Sequence, residues 1–139
     1  MNAAETRTVV VEREIPHPPE KIWRALTQPH LIREWLMEND FKLEVGHHFN
    51  MRRQPRPDFD VVVDCEVLEI ETNKTLSYTW SAFDVAGVVT WTLTRTSTGT
   101  HLRMEQEGFR PDQKQAQAGA TAGWRLIFAS LERLLARTD

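Results

Sequence analysis

A chain of 139 residues, of which 40% are hydrophobic and 27% charged, is long enough to form a hydrophobic core and too apolar to be disordered. Its formal net charge of −3 lacks the basic surface that nucleic-acid binding requires, so no nucleic-acid partner is expected. Cys65 is the only cysteine, which excludes an internal disulfide, and no apolar run approaches the ~20 residues of a membrane span. These features predict a single domain over residues 1–139, located in the cytoplasm.

The first predicted elements are one strand and two short helices. Residues 8–15 (TVVVEREI) are rich in β-branched side chains and then alternate, which favours a strand. Residues 19–28 (PEKIWRALTQ) begin with a proline and place Trp23 on an apolar helical face. After a second proline, residues 30–36 (HLIREWL) predict another short helix, which contains Trp35.

From residue 41 onward the apolar residues recur with a period of two, which is typical of strands. Five strands are predicted, at residues 41–53, 61–70, 75–81, 87–96 and 100–109. Consecutive alternating strands indicate an antiparallel meander with one face on the core and the other in solvent. The large side chains on the predicted inner face are Phe49, Met51, Trp80, Trp91 and Met104.

A long helix at about residues 112–137 is the only predicted element large enough to cover that sheet. At 1.5 Å per residue the helix spans about 39 Å, which exceeds the roughly 33 Å of a ten-residue strand. Its sheet-facing positions begin small, with Ala116, Ala120 and Gly123, and end large, with Leu131. The order of elements therefore predicts an α+β protein in which a curved sheet surrounds one helix.

The small residues in the first half of the helix have three explanations. Large sheet side chains could fill the space above them and form a dry core, which the close packing of protein interiors favours. A cavity of a few hundred Å³ for an apolar ligand could remain instead. Alternatively, this half of the helix could be solvated or frayed. The pattern of residues by itself leaves all three open.

Five segments, in this order, carry a resemblance to a known family. They are PPEKIWRALTQPHLIREWL at 18–36, G-x-x-F at Gly46 to Phe49, EVLEI…TLSYTW at 66–80, GTHLRMEQEGF at 99–109, and Gly123, Trp124 and Leu131. The chain resembles the START-like, helix-grip superfamily (SRPBCC), in the branch similar to the C-terminal domain of the heat-shock-protein-90 ATPase activator. This implies a curved antiparallel sheet of six to seven strands around a long C-terminal helix, with two short helices after the first strand. It also implies a hydrophobic cavity between helix and sheet.

The resemblance also implies a class of function. Members of the superfamily bind lipids, hormones, polyketides or other apolar molecules, and some catalyse cyclisation. We therefore expect this chain, as a monomer or homodimer without a cofactor, to bind a small apolar or aromatic molecule in the cavity. A cyclase- or hydratase-type enzyme using the same cavity is one alternative. A chaperone-interaction module is another, although the Thr-, Ser- and Glu-rich outer sheet face disfavours it.

The predicted site combines apolar contacts with a few polar side chains. His47 replaces the second glycine of a Gly-Gly pair that is frequent in relatives, and it points inward if it keeps the alternation of Phe49. Arg53 continues that alternation, unless it extends to water at the sheet edge, and Gln106 stands where relatives often carry a histidine. The predicted apolar contacts are Trp35, Phe49, Met51, Trp80, Trp91, Met104 and Trp124, while His47, Arg53 and Gln106 would orient the ligand.

Neither a metal site nor a catalytic residue is predicted. His47 and His48 are neighbours on a predicted strand, so their side chains point to opposite faces and cannot share one ion. No zinc-type spacing of Cys and His occurs in the sequence. Cys65 is expected to be a small buried hydrophobe. The outer face of the sheet is expected to carry the carboxylates Asp64, Glu66, Glu105 and Glu107.

Overall fold

Seven strands and three helices make up the part of the chain that the structure describes. The computed structural model describes residues 6–138, except for the side chains of Pro55 and Arg56. The elements in chain order are β1 (Arg7–Ile15), α1 (Pro19–Thr27), α2 (Pro29–Trp35), β2 (Glu38–Asn39), β3 (His48–Arg56), β4 (Phe59–Glu71), β5 (Thr75–Ala82), β6 (Val85–Arg95), β7 (Thr100–Phe109) and α3 (Lys114–Ala136).

The strands form one antiparallel sheet in the order β1-β7-β6-β5-β4-β3-β2. Strands β2 to β7 are neighbours in sequence, as predicted for a meander, and β1 pairs with the free side of β7. Gly108 is an extra residue in β7, between the partners of Arg7 and Thr8, and Leu68 is an extra residue in β4. Such bulges increase the local twist of a sheet, and this sheet curves around α3. The predicted helix-grip architecture is confirmed.

The core lies between the concave face of the sheet and the three helices. The second half of α3 contributes Trp124, Phe128 and Leu131, all of which are buried. The side chains predicted on the inner sheet face are also all buried, namely Phe49, Met51, Trp80, Trp91 and Met104. The alternation of apolar residues predicted these inner-face positions correctly because successive strand side chains point to opposite faces of a sheet. None of the helices among residues 6–138 combines the length and apolar composition that crossing a bilayer needs.

The strand predicted at residues 41–53 is wrong in its first half. Strand β3 begins only at His48, and the residues before it form a loop in which Gly46 has a φ of 89°. This left-handed conformation interrupts a strand, and glycine adopts it readily. The apolar alternation in the loop does not reflect burial, because Leu43 and Val45 are 44% and 61% exposed.

Candidate functional site

An open, mainly apolar groove of about 510 Å³ separates the first half of α3 from the sheet. The helix lines it with Ala116, Gly119, Ala120, Gly123, Trp124 and Ile127, and Gln113 lines it just before the helix begins. The sheet, the β5–β6 turn and the segment after α2 line it with Met37, Arg53, Val61, Val63, Trp80, Ala82, Phe83, Asp84, Val85, Gln106 and Phe109.

Small side chains on one face of α3 leave this space open. A Cβ atom added to Gly119 or Gly123 would meet nothing within 4 Å, apart from the nearby backbone of the helix itself. Further along the helix, Trp124 and Phe128 are only 3% and 0% exposed. The helix therefore packs closely on the sheet in its second half and stands apart from it in its first half.

Aromatic rings form much of the groove wall. The ring centroids of Trp80 and Trp124 are 5.1 Å apart. Trp124 also meets Trp91 edge to face, at a centroid distance of 5.7 Å and an interplanar angle of 78°. Phe83, in the turn between β5 and β6, lines the same groove and is 78% exposed. Aromatic faces of this kind favour a ligand that is itself flat and apolar.

Gln106 is a polar side chain set into this apolar wall, and it is only 4% exposed. Its Oε1 atom accepts a hydrogen bond from the Nε1–H group of Trp124, at 2.7 Å. The indole N–H group can only donate, so this contact determines which end of the side-chain amide faces Trp124. The amide NH2 group of Gln106 is consequently directed away from the indole.

Two charged residues, Arg53 and Asp84, line the groove. The Oδ2 atom of Asp84 lies 3.0 Å from Nη2 of Arg110, and its backbone carbonyl accepts a hydrogen bond from Nε2 of Gln113 at 2.8 Å. These contacts join the β5–β6 turn to the residues that lead into α3. Arg53 is exposed, and it forms no ion pair with any residue in the range 6–138.

Comparison with known proteins agrees with this architecture. The model of a family described as Activator of Hsp90 ATPase homolog 1-like protein matches residues 16–136. The chain belongs to this family. The resemblance inferred from its sequence motifs is thereby confirmed. No curated protein matches the chain significantly.

Solved structures with the same fold include both a near relative and distant ones. Protein MLL2253 from Mesorhizobium loti is 64% identical, with a TM-score of 0.88 over 96% of this chain and 99% of that one. DynU16, from the dynemicin biosynthetic locus, is 24% identical, with a TM-score of 0.81 over 94% of this chain and 47% of that one. CalU16 from Micromonospora echinospora is 21% identical, with a TM-score of 0.80 over 99% of this chain and 81% of that one. At these identities the last two show the fold alone.

Nine of the ten site residues predicted from sequence fall into two groups. Four of them line the groove, namely Arg53, Trp80, Gln106 and Trp124. Five others lie in the buried core and do not line it, namely Trp35, Phe49, Met51, Trp91 and Met104. The strand residues of both groups share the inward-facing alternation, so what separates them is whether they lie beneath the first or the second half of α3.

His47, the tenth predicted site residue, lies outside the groove. Its ring stacks on Phe49, with centroids 6.2 Å apart and an interplanar angle of 4°, and its Nε2 atom is 3.1 Å from the carbonyl oxygen of Asp40. His48 points outward, with Nε2 3.6 Å from a carboxylate oxygen of Glu66. No group of three or more His, Cys, Asp or Glu residues that could hold a metal ion occurs within residues 6–138.

Several residues that line the groove were not predicted from the sequence. The bulge in β7 explains why Phe109 was missed. Simple alternation from Met104 and Gln106 would place residue 108 inward. Gly108 is the extra residue of the bulge, with a φ of 111°, and Phe109 is buried in its place. Phe83 was missed because an apolar residue in a turn carries no periodic signal.

Cys65 is a buried free thiol, and burial is the main reason why its pKa rises to about 12, with the nearby carboxylates of Asp64 and Asp40 adding to the effect. The thiolate is the reactive form of cysteine. Because of its raised pKa, Cys65 remains a neutral, unreactive thiol at about pH 8. We expect iodoacetamide to leave Cys65 unmodified in the native protein and to alkylate it in concentrated guanidinium chloride, as measured by mass spectrometry. Full alkylation of the native protein within minutes would contradict this prediction.

Proposed function

We propose that the protein binds a small apolar or aromatic molecule in the groove between α3 and the sheet. The observation that carries this proposal is the small-residue face of α3 opposite the tryptophan wall formed by Trp80 and Trp124. The groove volume of about 510 Å³ lies in the roughly 300–1,000 Å³ range typical of small-molecule sites. Proteins of this fold commonly bind ligands, which supports the same function.

The apolar wall sets the scale of affinity. Burial of about 200 Å² of apolar ligand surface contributes about 5 kcal/mol at ~25 cal/mol per Å². The losses of translational and rotational freedom on binding oppose this term. A micromolar dissociation constant corresponds to about −8 kcal/mol, so a few oriented polar contacts are needed in addition.

A cytoplasmic location belongs to the same proposal, since a buried free thiol suits a reducing compartment.

Filling the groove should abolish binding while the protein stays folded. The change Ala120→Leu adds a branched side chain that points into the groove, and we expect it to weaken binding of the neutral probe N-phenyl-naphthylamine at least tenfold. Leucine is a strong helix former, so the helix is retained. The measurement is a titration followed by probe fluorescence, with a thermal unfolding curve for each protein.

The matched control is Ala122→Leu, the same change two residues away. Ala122 is exposed and does not line the groove, so the probe should bind this variant within about twofold of the parent protein. The proposal fails if the probe does not bind the parent protein, or if Ala120→Leu and Ala122→Leu bind it equally well.

A further inference from the structure

We infer that the groove selects an aromatic carboxylate, with the ring against Trp80 and Trp124 beside Gln106 and the carboxylate bound by Arg53. This inference rests on the proposed function and names the chemical class of its ligand. It follows from the hydrogen-bonding character of the polar groups that line the apolar wall.

The first step concerns Gln106, which presents a hydrogen-bond donor to the groove. In the observed orientation the indole N–H group of Trp124 donates to Oε1 of Gln106 at 2.7 Å. With the amide reversed, the NH2 group of Gln106 would face that N–H group, and neither group could accept a hydrogen bond. An indole N–H left buried without an acceptor costs about 1–3 kcal/mol. The orientation with Oε1 toward Trp124 is therefore enforced, and the NH2 group requires an acceptor from elsewhere. No described residue accepts a hydrogen bond from that NH2 group, and no described side chain has a fully buried polar atom without a partner, so the NH2 group is accessible from the groove.

The second step concerns Arg53, whose guanidinium group can only donate. It lines the groove and has no ion-pair partner within the described chain. Asp60 borders a neighbouring concavity together with Arg53 but does not line the groove itself. A carboxylate accepts charge-assisted hydrogen bonds from a guanidinium group, which makes it the complement of Arg53.

The third step concerns the acidic residue of the groove. The carboxylate of Asp84 already forms an ion pair with Arg110, at 3.0 Å. Among the described residues, a cationic ligand would therefore meet an unpaired Arg53, and the one carboxylate of the groove is already paired with Arg110. A neutral ligand would form no charge-assisted hydrogen bond with Arg53. Of the three classes of ligand, an anion leaves the fewest polar groups without a partner.

The test compares three compounds with one ring system, which are naphthoate, its methyl ester and naphthylmethylamine, by isothermal titration calorimetry. We expect naphthoate to bind at least tenfold more tightly than the ester, a difference of about 1.4 kcal/mol, and the amine to bind most weakly. The change Arg53→Gln should bring naphthoate to within about twofold of the ester. Arg53 is exposed, so this variant is expected to fold.

The matched control is Arg52→Gln, which removes the same charge from the neighbouring exposed residue of β3. Arg52 does not line the groove, so the preference for naphthoate should persist in this variant. The inference is overturned, with the proposed function intact, if the ester binds as tightly as naphthoate. It is also overturned if Arg52→Gln and Arg53→Gln reduce the preference equally. If neither these compounds nor N-phenyl-naphthylamine bind, both the inference and the proposed function fail.

Discussion

Replacing Trp91 by alanine is expected to lower the free energy of unfolding by about 4 kcal/mol. The side chain of Trp91 is fully buried. Its ring lies 5.6 Å from that of Trp35 and 5.7 Å from those of Trp124 and Phe128, measured between centroids. Removal of the indole leaves a cavity bordered by three large rings, and packed neighbours of this size relax only partly into such a space. Urea unfolding followed by circular dichroism measures the loss.

A second variant at the same position separates packing from hydrogen bonding. The Nε1–H group of Trp91 donates to the hydroxyl of Tyr78 at 2.9 Å, and both side chains are buried. Trp91→Phe retains a ring but removes this donor, so a smaller loss of about 2 kcal/mol is expected. Leu126→Ala serves as the control, because Leu126 is 72% exposed and its truncation should change stability by less than about 0.5 kcal/mol. A loss below about 1 kcal/mol for Trp91→Ala would contradict the structure.

The second large effect is expected from Gly87→Ala, which should lower the free energy of unfolding by about 3 kcal/mol or more. A Cβ atom at Gly87 would stand 1.7 Å from the backbone oxygen of Glu107 and 2.7 Å from its carbonyl carbon. Overpacking usually costs about 1–3 kcal/mol because side chains can move aside. Here the obstacle is the backbone of β7, so the pairing of β6 with β7 must open. Thermal and urea unfolding both report this loss.

Gly119→Ala and Gly123→Ala are the matched controls for that prediction. Neither added Cβ meets an atom within 4 Å, and both residues lie inside α3. Alanine is favoured over glycine in a helix, so each change should raise stability by about 1 kcal/mol. The same methyl group is thus expected to act with opposite signs in the sheet and in the helix. Destabilisation of similar size at all three positions would show that the space beside α3 is not open.

The elements that the sequence predicted well are those with sustained periodicity. Predicted strands at residues 75–81, 87–96 and 100–109 correspond to β5, β6 and β7 within two residues, and the helix predicted at 112–137 corresponds to α3 within two residues. Repetition of one period over many residues leaves few alternative structures. The prediction at residues 41–53 failed where a single left-handed glycine, Gly46, outweighed a short apolar alternation.

The amino-acid sequence by itself determined which face of most strands is turned inward, the order of the elements, the family, and the unusual run of small residues in the first half of the last helix. Only the tertiary structure decided which inward residues line the groove. Trp80 and Trp91 have the same strand alternation, yet Trp91 packs on Phe128 while Trp80 lies against the open half of α3.

The orientation of the Gln106 amide was likewise decided by the tertiary structure, through a hydrogen bond to Trp124 18 residues away. The physical reason is common to both cases. Alternation is a local property of the backbone and can be read from neighbouring residues. Which strand side chain lies beneath which turn of the helix depends on sheet curvature and bulges, and these arise only when distant segments pack together.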